Sequence, residues 1–176
     1  GDLTRLSDIK NIVTNAKHHF GNIDILINCA GIFMIKSIVK STVEDIDKSI
    51  NLNVRAPFIL SREFSKNMVS KKWGRIVLIG SSSSYSGFEN GSVYCASKHS
   101  ILGLSRALNI ELKKKNVRVM CISPSSTKTN MGKISIDQDF NTFLNPKEVA
   151  EYIIFILSFD NEMSIDESRL NRMITK

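Results

Sequence analysis

Tyr94 and Lys98 stand four residues apart inside a stretch of helical apolar periodicity, so a phenol and an ammonium share one helix face. An adjacent cation stabilises a phenolate and lowers its pKa, which is what a tyrosine needs to move protons near neutrality. Ser81 comes thirteen residues before Tyr94, at the end of the apolar run Arg75-Ile-Val-Leu-Ile-Gly80. A hydroxyl there can sit beside the phenol in the same crevice. Taken alone, a Tyr-x-x-x-Lys spacing reads equally well as a surface contact, and it is the serine at a strand end that gives it chemical meaning. Serines 82 to 84 read as turn residues. Asn53 lies four residues before Pro57, whose missing N–H deprives the Asn53 carbonyl of its helical partner. A carbonyl freed in this way can hold a water; the plainer alternative is a proline kink.

The elements that must position these groups alternate. Ile9, Ile12, Val13, Ala16 and Phe20 recur at helical spacing, with Ser7 as the predicted N-cap and Gly21 as the stop. Ile25 to Ile27, ending at Asn28, read as a strand buried on both faces. A helix opens at Ser41-Thr42 with Glu44 placed for a capping box, carries Val43, Ile46 and Ile50 inward, and continues through Phe58, Phe64 and Met68. After the strand 75–80, a helix is predicted over Ser92 to Lys113, with Ile101, Leu104, Leu108 and Leu112 on one face. Val117 to Ile122 is a strand stopping at Pro124. Asn145-Pro146-Lys147-Glu148 opens another helix, with a last strand near Ser168 to Met173. This alternation specifies one α/β domain over 1–176, a Rossmann-like doubly wound parallel sheet with helices on both faces. In such sheets ligands bind beyond the carboxyl ends of the strands, where Asn28, Ser81 and Pro124 fall.

Composition narrows the classes. The chain has 176 residues, 42% hydrophobic and 23% charged, which is the balance of a globular domain. No apolar stretch approaches the roughly 18 residues of a membrane span, and no charged-then-apolar leader opens the sequence, so nothing in it marks the chain for secretion. The formal charge of +7 is spread along the chain without a basic stripe or a nucleic-acid module, so a solvated basic surface is the reading. That surface would favour phosphorylated cofactors. Cys29, Cys95 and Cys121 read as reduced cytosolic thiols, Cys29 and Cys95 as small buried side chains. His18, His19 and His99 show no ligand spacing, and no metal is expected.

In order along the chain, these motifs resemble those of the classical short-chain dehydrogenase/reductase family. Asn28-Cys29-Ala30-Gly31 is similar to its Asn-Asn-Ala-Gly segment, Leu52-Asn53-Val54-Arg55-Ala56-Pro57-Phe58 to its asparagine stretch, and Pro124 to Thr129 to its Pro-Gly-x-x-x-Thr segment, with Ser125 in the glycine position. Ser81, Tyr94 and Lys98 match its serine and Tyr-x-x-x-Lys. The resemblance implies an NAD(P)-dependent oxidoreductase of carbonyls and secondary alcohols. Tyr94 would be the general acid or base, Lys98 would depress its pKa and bind the nicotinamide ribose, Ser81 would hold the substrate oxygen, and the water on Asn53 would extend a proton relay. It further implies that Asn28, Ala30 and Gly31 pass the adenosine ribose, that Asp2 and Leu3 lie by the adenine, and that Thr127 and Thr129, after Pro124, meet the carboxamide. NADP is favoured slightly over NAD.

The glycine-rich pyrophosphate loop of that family is not found in these residues. The chain reads as beginning after the family's third strand, its sheet lacking the first strands, either as a fragment or as a short protein. The alternative function is a cofactor-less binding or regulatory module of the same fold. A sugar-nucleotide epimerase or dehydratase, which would share Tyr94 and Lys98, ranks third. Residues 130–144 resemble the family's substrate loop and permit an apolar or acyl substrate. The helices from Thr42 and Ser92 resemble those through which family members form homodimers or homotetramers. The expected location is cytoplasmic.

Overall fold

The computed structural model describes residues 1–173. Four parallel strands, β1 (Ile25–Asn28), β2 (Gly74–Ile79), β3 (Val117–Pro124) and β4 (Glu167–Leu170), stand side by side in chain order. Ile79 is level with Ile122, and Ile122 with Ser168. The five α-helices are α1 (Leu6–Phe20), α2 (Val43–Ile50), α3 (Ala56–Lys71), α4 (Ser92–Leu112) and α5 (Pro146–Leu157). None of the described helices is long and apolar enough to cross a membrane.

Strand parity divides the core. Ile76, Leu78, Val119 and Cys121 point to the face covered by α1, α3 and α4 through Ile9, Val13, Leu60, Phe64, Ile101 and Leu104. Val77, Met120 and Ile122 point the other way, onto Ile153 and Ile156 of α5. The steps β2–α4–β3 and β3–α5–β4 move in the same direction across the sheet, yet their helices lie on opposite faces. These crossovers therefore have opposite hands, and the strong preference for right-handed units makes the α5 connection the exceptional one. Arg75 and Arg118 anchor it: Arg75 pairs with Asp160, and Arg118 donates to the carbonyls of Phe159, Asn161 and Met163.

Local chemistry departs from the sequence reading at several places. Helix α1 begins at Leu6 with Arg5 in the cap position, and Ser7 lies inside the first turn. A turn in which Asp2 accepts the Thr4 N–H at 2.9 Å, with Asp8 accepting the Asp2 N–H at 2.7 Å, has already used the entry. At α2 the box partner of Thr42 is Asp45, not Glu44, because Asp45 is the third helical residue. Val43, Ile46 and Ile50 are exposed rather than carried inward. The chain meets Pro57 with a π-helical turn over Asn51–Arg55, in which the Ala56 N–H reaches back to the Asn51 carbonyl, instead of with a simple kink. Strand β1 is a sheet edge, and Ile25 and Ile27 remain 43% and 46% exposed, so it is not buried on both faces. Both point to the α5 side of the sheet, and α5, seated over β2 and β3, does not reach them.

Between β3 and α5 the chain runs over the carboxyl ends of the strands without regular structure beyond two 3-10 turns. This stretch bridges back on itself: Leu144 N–H bonds the Ser126 carbonyl and Lys128 N–H the Leu144 carbonyl. A Cβ on Gly132 would overlap the backbone oxygen of Thr127, which makes that glycine a fixed point of the loop. At Ser125 the backbone φ is not positive, so a serine takes the place without strain.

Candidate active site

Ser81 is reached from β2 through Gly80, whose N–H still pairs with the Ile122 carbonyl at 2.8 Å. In extended conformation, Ser81 opens the 3-10 turn Ser82–Ser84: its Oγ accepts the Ser83 N–H at 3.1 Å, and its own N–H donates to Ser84 Oγ at 3.1 Å. The turn thus spends Ser84 on capping and leaves the Ser81 hydroxyl proton free for another acceptor. One turn into α4, Tyr94 is 7% exposed, its ring edge-on to Phe33 with 4.7 Å between centroids and near Phe88 at 6.5 Å. Lys98, also 7% exposed, donates from Nζ to the Ile79 carbonyl at 2.9 Å and lies 5.8 Å from the centre of the Tyr94 ring. The last carbonyl of β2 therefore seats the lysine of α4.

Asn53 is 2% exposed, and its side chain is fully occupied. Oδ1 accepts the Ile32 N–H at 2.8 Å, while Nδ2 donates to the Ile32 carbonyl at 2.9 Å and to Ser97 Oγ at 3.0 Å. It pins the chain after β1 to α4, and any contact with a relay falls to its backbone. Gly31 lies in that junction, where a Cβ would sit 3.2 Å from Asn53 Oδ1 and 3.8 Å from Lys98 Nζ.

Electrostatics correct one expectation. Burial pushes the Tyr94 phenol up from its ordinary pKa, and the Ser81 hydroxyl pulls it back only in part. Lys98 does not depress it here; the lysine is itself lowered to about 8 by burial. Charging either group inside the fold removes it from water, and that cost is the largest cause of both shifts. At neutral pH the result is a protonated phenol beside a charged ammonium, an arrangement able to give a proton to a carbonyl oxygen.

A cavity of about 770 Å³ opens over the ends of β2 and β3. Gly31, Ser81, Tyr94, Lys98, Pro124, Thr127 and Thr129 all line it, so the structure brings these sequence-predicted residues together. Leu3, Asn28 and Ala30 line a separate cleft of about 70 Å³ at the β1 edge, and Asn28 Oδ1 is buried there without a partner. Asp2 borders neither, being held in its turn with Thr4. Cys29 is exposed and reaches both spaces, contrary to the buried role expected of it, whereas Cys95 is buried. The pattern of the sequence did not reveal Phe33, Phe88, Gln138 or Arg172 as lining residues. Phe33 and Phe88 sit in loops without periodicity, and Arg172 lies beyond β4, so only the folded chain brings them in. Among the described residues no three His, Cys, Asp or Glu side chains converge to hold a metal.

A dinucleotide's nicotinamide end fits the larger cavity, where Lys98 offers a cation and Thr127 and Thr129 offer hydroxyls. The small cleft is too small to enclose an adenosine, but Asn28 Oδ1 lacks a donor there.

A family model described as short chain dehydrogenase matches residues 1–139. An oxidoreductase of Staphylococcus saprophyticus is 30% identical over 168 residues, covering 94% of this chain and 70% of the relative. Carbonyl reductase family member 4 of Xenopus laevis is 30% identical over 162 residues, covering 89% and 69%. The structure of 4-hydroxyisoleucine dehydrogenase complexed with NADH and succinate superposes with a TM-score of 0.87 at 31% identity, covering 98% of this chain and 76% of that one.

Proposed function

The chain belongs to the short-chain dehydrogenase family, and from that premise we propose that it transfers hydride between a nicotinamide dinucleotide and a carbonyl or secondary alcohol. The observation that carries this reading is the convergence of Ser81, Tyr94 and Lys98 on one wall of a cavity large enough for a nicotinamide and a small substrate. The bound dinucleotide would supply or accept the hydride. Tyr94, kept protonated by burial, gives its phenolic proton to the carbonyl oxygen in reduction and takes it back in oxidation. Ser81 donates to the same oxygen as charge builds on it. Lys98, fixed by the Ile79 carbonyl, holds the ribose. Asn53 keeps Gly31 and Lys98 in register, and its backbone carbonyl continues the proton relay through a water.

Leu3, Asn28, Ala30 and Gly31 take the adenosine side, Asp2 stays in its turn with Thr4 outside both spaces, and Pro124, Thr127 and Thr129 take the carboxamide. The basic surface favours NADP, whereas the similar 4-hydroxyisoleucine dehydrogenase is complexed with NADH, so both cofactors belong in the test. Residues 1–176 act as one domain, the catalytic portion of the family's fold. The exposed apolar residues Val43, Ile46, Ile50 and Phe58 of α2 and α3, with Ile110 of α4, are where copies of the chain associate as dimers or tetramers, which sedimentation velocity reads directly.

The deciding experiment titrates NADH and NADPH into the protein and into Tyr94→Phe, then follows cofactor oxidation with a panel of ketones. Binding by both proteins with turnover by the first alone is the expected result. Turnover surviving in Tyr94→Phe would overturn the assignment of the acid. No dinucleotide binding by the folded protein would favour the cofactor-less binding or regulatory module.

A further inference from the structure

We propose that Arg172 anchors an anionic group on the substrate, so that the site accepts carbonyl or hydroxy compounds bearing a carboxylate; this rests on the hydride-transfer reading above. Arg172 lies two residues past β4 and lines the same cavity as Ser81 and Tyr94. Its Nη1 donates to Thr142 Oγ1 at 3.1 Å and its Nη2 to Gln138 Oε1 at 2.8 Å, and the guanidinium packs 5.0 Å from the centre of the Phe143 ring. All three partners are neutral. Gln138 Oε1 is itself fixed by Ser126 Oγ at 2.9 Å, so the fork is oriented without being neutralised.

The contrast with other arginines is informative. Arg75 meets Asp160, and Arg106 makes a two-pronged contact with Glu167 at 2.5 and 3.0 Å. Among the described residues no carboxylate pairs with Arg172, although Asp137 and Glu89 line the same cavity. Its Nε is buried without an acceptor. A guanidinium has five N–H donors, and two are used here. Nε is shut off from the cavity, so an anion would meet the remaining Nη hydrogens; among the described residues no counter-charge does so, and a carboxylate accepts from such a guanidinium edge. Lys98, the other cation on the wall, is committed to the Ile79 carbonyl and the ribose.

Position supports the pairing of the two functions. Strands β2 and β4 flank β3, so their ends are two strand spacings, about 10 Å, apart. A single small molecule spans that gap with its carbonyl at Ser81 and Tyr94 and its carboxylate at Arg172. Met131, Val149 and Ile153 line the space with apolar surface, suited to the carbon chain between them.

Calorimetric titration with succinate, a small dicarboxylate, and with its uncharged diamide tests the anchor on the intact chain. Succinate should bind saturably and the diamide at least about tenfold more weakly, while Arg172→Gln should weaken succinate by roughly 10–100-fold, the strength of a charge-assisted pair. Arg172→Lys keeps the charge without the fork and should retain part of the affinity, with circular dichroism showing both variants folded. Equal succinate affinity in Arg172→Gln, or no succinate binding by the unmodified protein, overturns the proposal. In turnover, Arg172→Gln should raise KM for an oxo acid at least about tenfold more than it raises KM for the methyl ester of the same acid. Equal losses for both would mean that Arg172 only latches the loop through Gln138 and Thr142, and would sink the anchor. If no substrate is turned over while succinate binding still depends on Arg172, the anion site stands and the hydride-transfer reading fails.

Discussion

Replacing Lys98 by methionine should make this protein more stable at neutral pH, and the size of the gain follows from burial. Lys98 is held at about 8 against an ordinary 10.5, because its ammonium is removed from water with only the Ile79 carbonyl as a close acceptor. At about 1.4 kcal/mol per tenfold change in proton affinity, that drop corresponds to roughly 3 kcal/mol disfavouring the charged form in the folded state. Below pH 8 both folded and unfolded chains carry the charge, and the full cost is present. Between about 8 and 10.5 the unfolded chain binds the proton that the folded chain has shed, so stability rises with pH and then levels off. Methionine removes the charge at similar length and forfeits one hydrogen bond worth about 1 kcal/mol, leaving a gain of about 2 kcal/mol at neutral pH. For a chain of this length that is a Tm increase of about 4–8 °C.

The assay is urea denaturation of both proteins from about pH 6.5 to about pH 10.5, read as the difference at each pH. Tyr94 and Cys121 are both pushed up by burial and lose stability as pH rises, and the difference largely cancels them. The advantage of Lys98→Met should shrink steadily above pH 8 and vanish or reverse near 10.5, while dinucleotide turnover is lost throughout. A variant less stable at neutral pH, or one whose difference does not change with pH, refutes the argument that the site holds a strained cation.

Three further outcomes are expected. Because the Tyr94 phenol is pushed up, alcohol oxidation should accelerate with pH well into the alkaline range and carbonyl reduction should decline there, as opposed limbs of the pH–rate profiles. Asn53→Ala removes the partners of the Ile32 N–H, the Ile32 carbonyl and Ser97, and should cost about 2–4 kcal/mol in chemical denaturation. Asp160→Ala leaves the buried Arg75 guanidinium without its counter-ion and should cost about 1–3 kcal/mol, with Arg75→Met in the same chain restoring part of it.

The legible parts of this fold were those whose signal is local. Asn145 caps α5 through the Lys147 N–H as its sequence context predicts, and β2, β3 and α4 lie where unbroken apolar runs and helical spacing put them. The misread parts depend on neighbours. Ile25 and Ile27 make a strand that looks buried on both faces, yet burial is decided by which helix covers which side, and α5 covers β2 and β3. Val43, Ile46 and Ile50 have a helical stripe that faces solvent in a single chain. Cys29 has the composition of a core residue and the position of a rim residue.

The same division applies to the site. The spacing of Ser81, Tyr94 and Lys98, set by strand and helix geometry, determined that a hydroxyl, a phenol and an ammonium would meet at the end of a parallel strand. Tertiary structure decided their protonation, since solvation depends on everything packed around a group: Phe33 and Phe88 enclose the phenol, and burial lowers the lysine. It also decided that Asn53 spends its side chain as a clamp, and that Arg172, which no spacing marks, lines the same cavity without pairing to a carboxylate among the described residues. Covalent order along the chain dictates the periodic contacts of helices and strands. The charge balance of a cavity is settled by residues distant in sequence, and it exists only once they have come together.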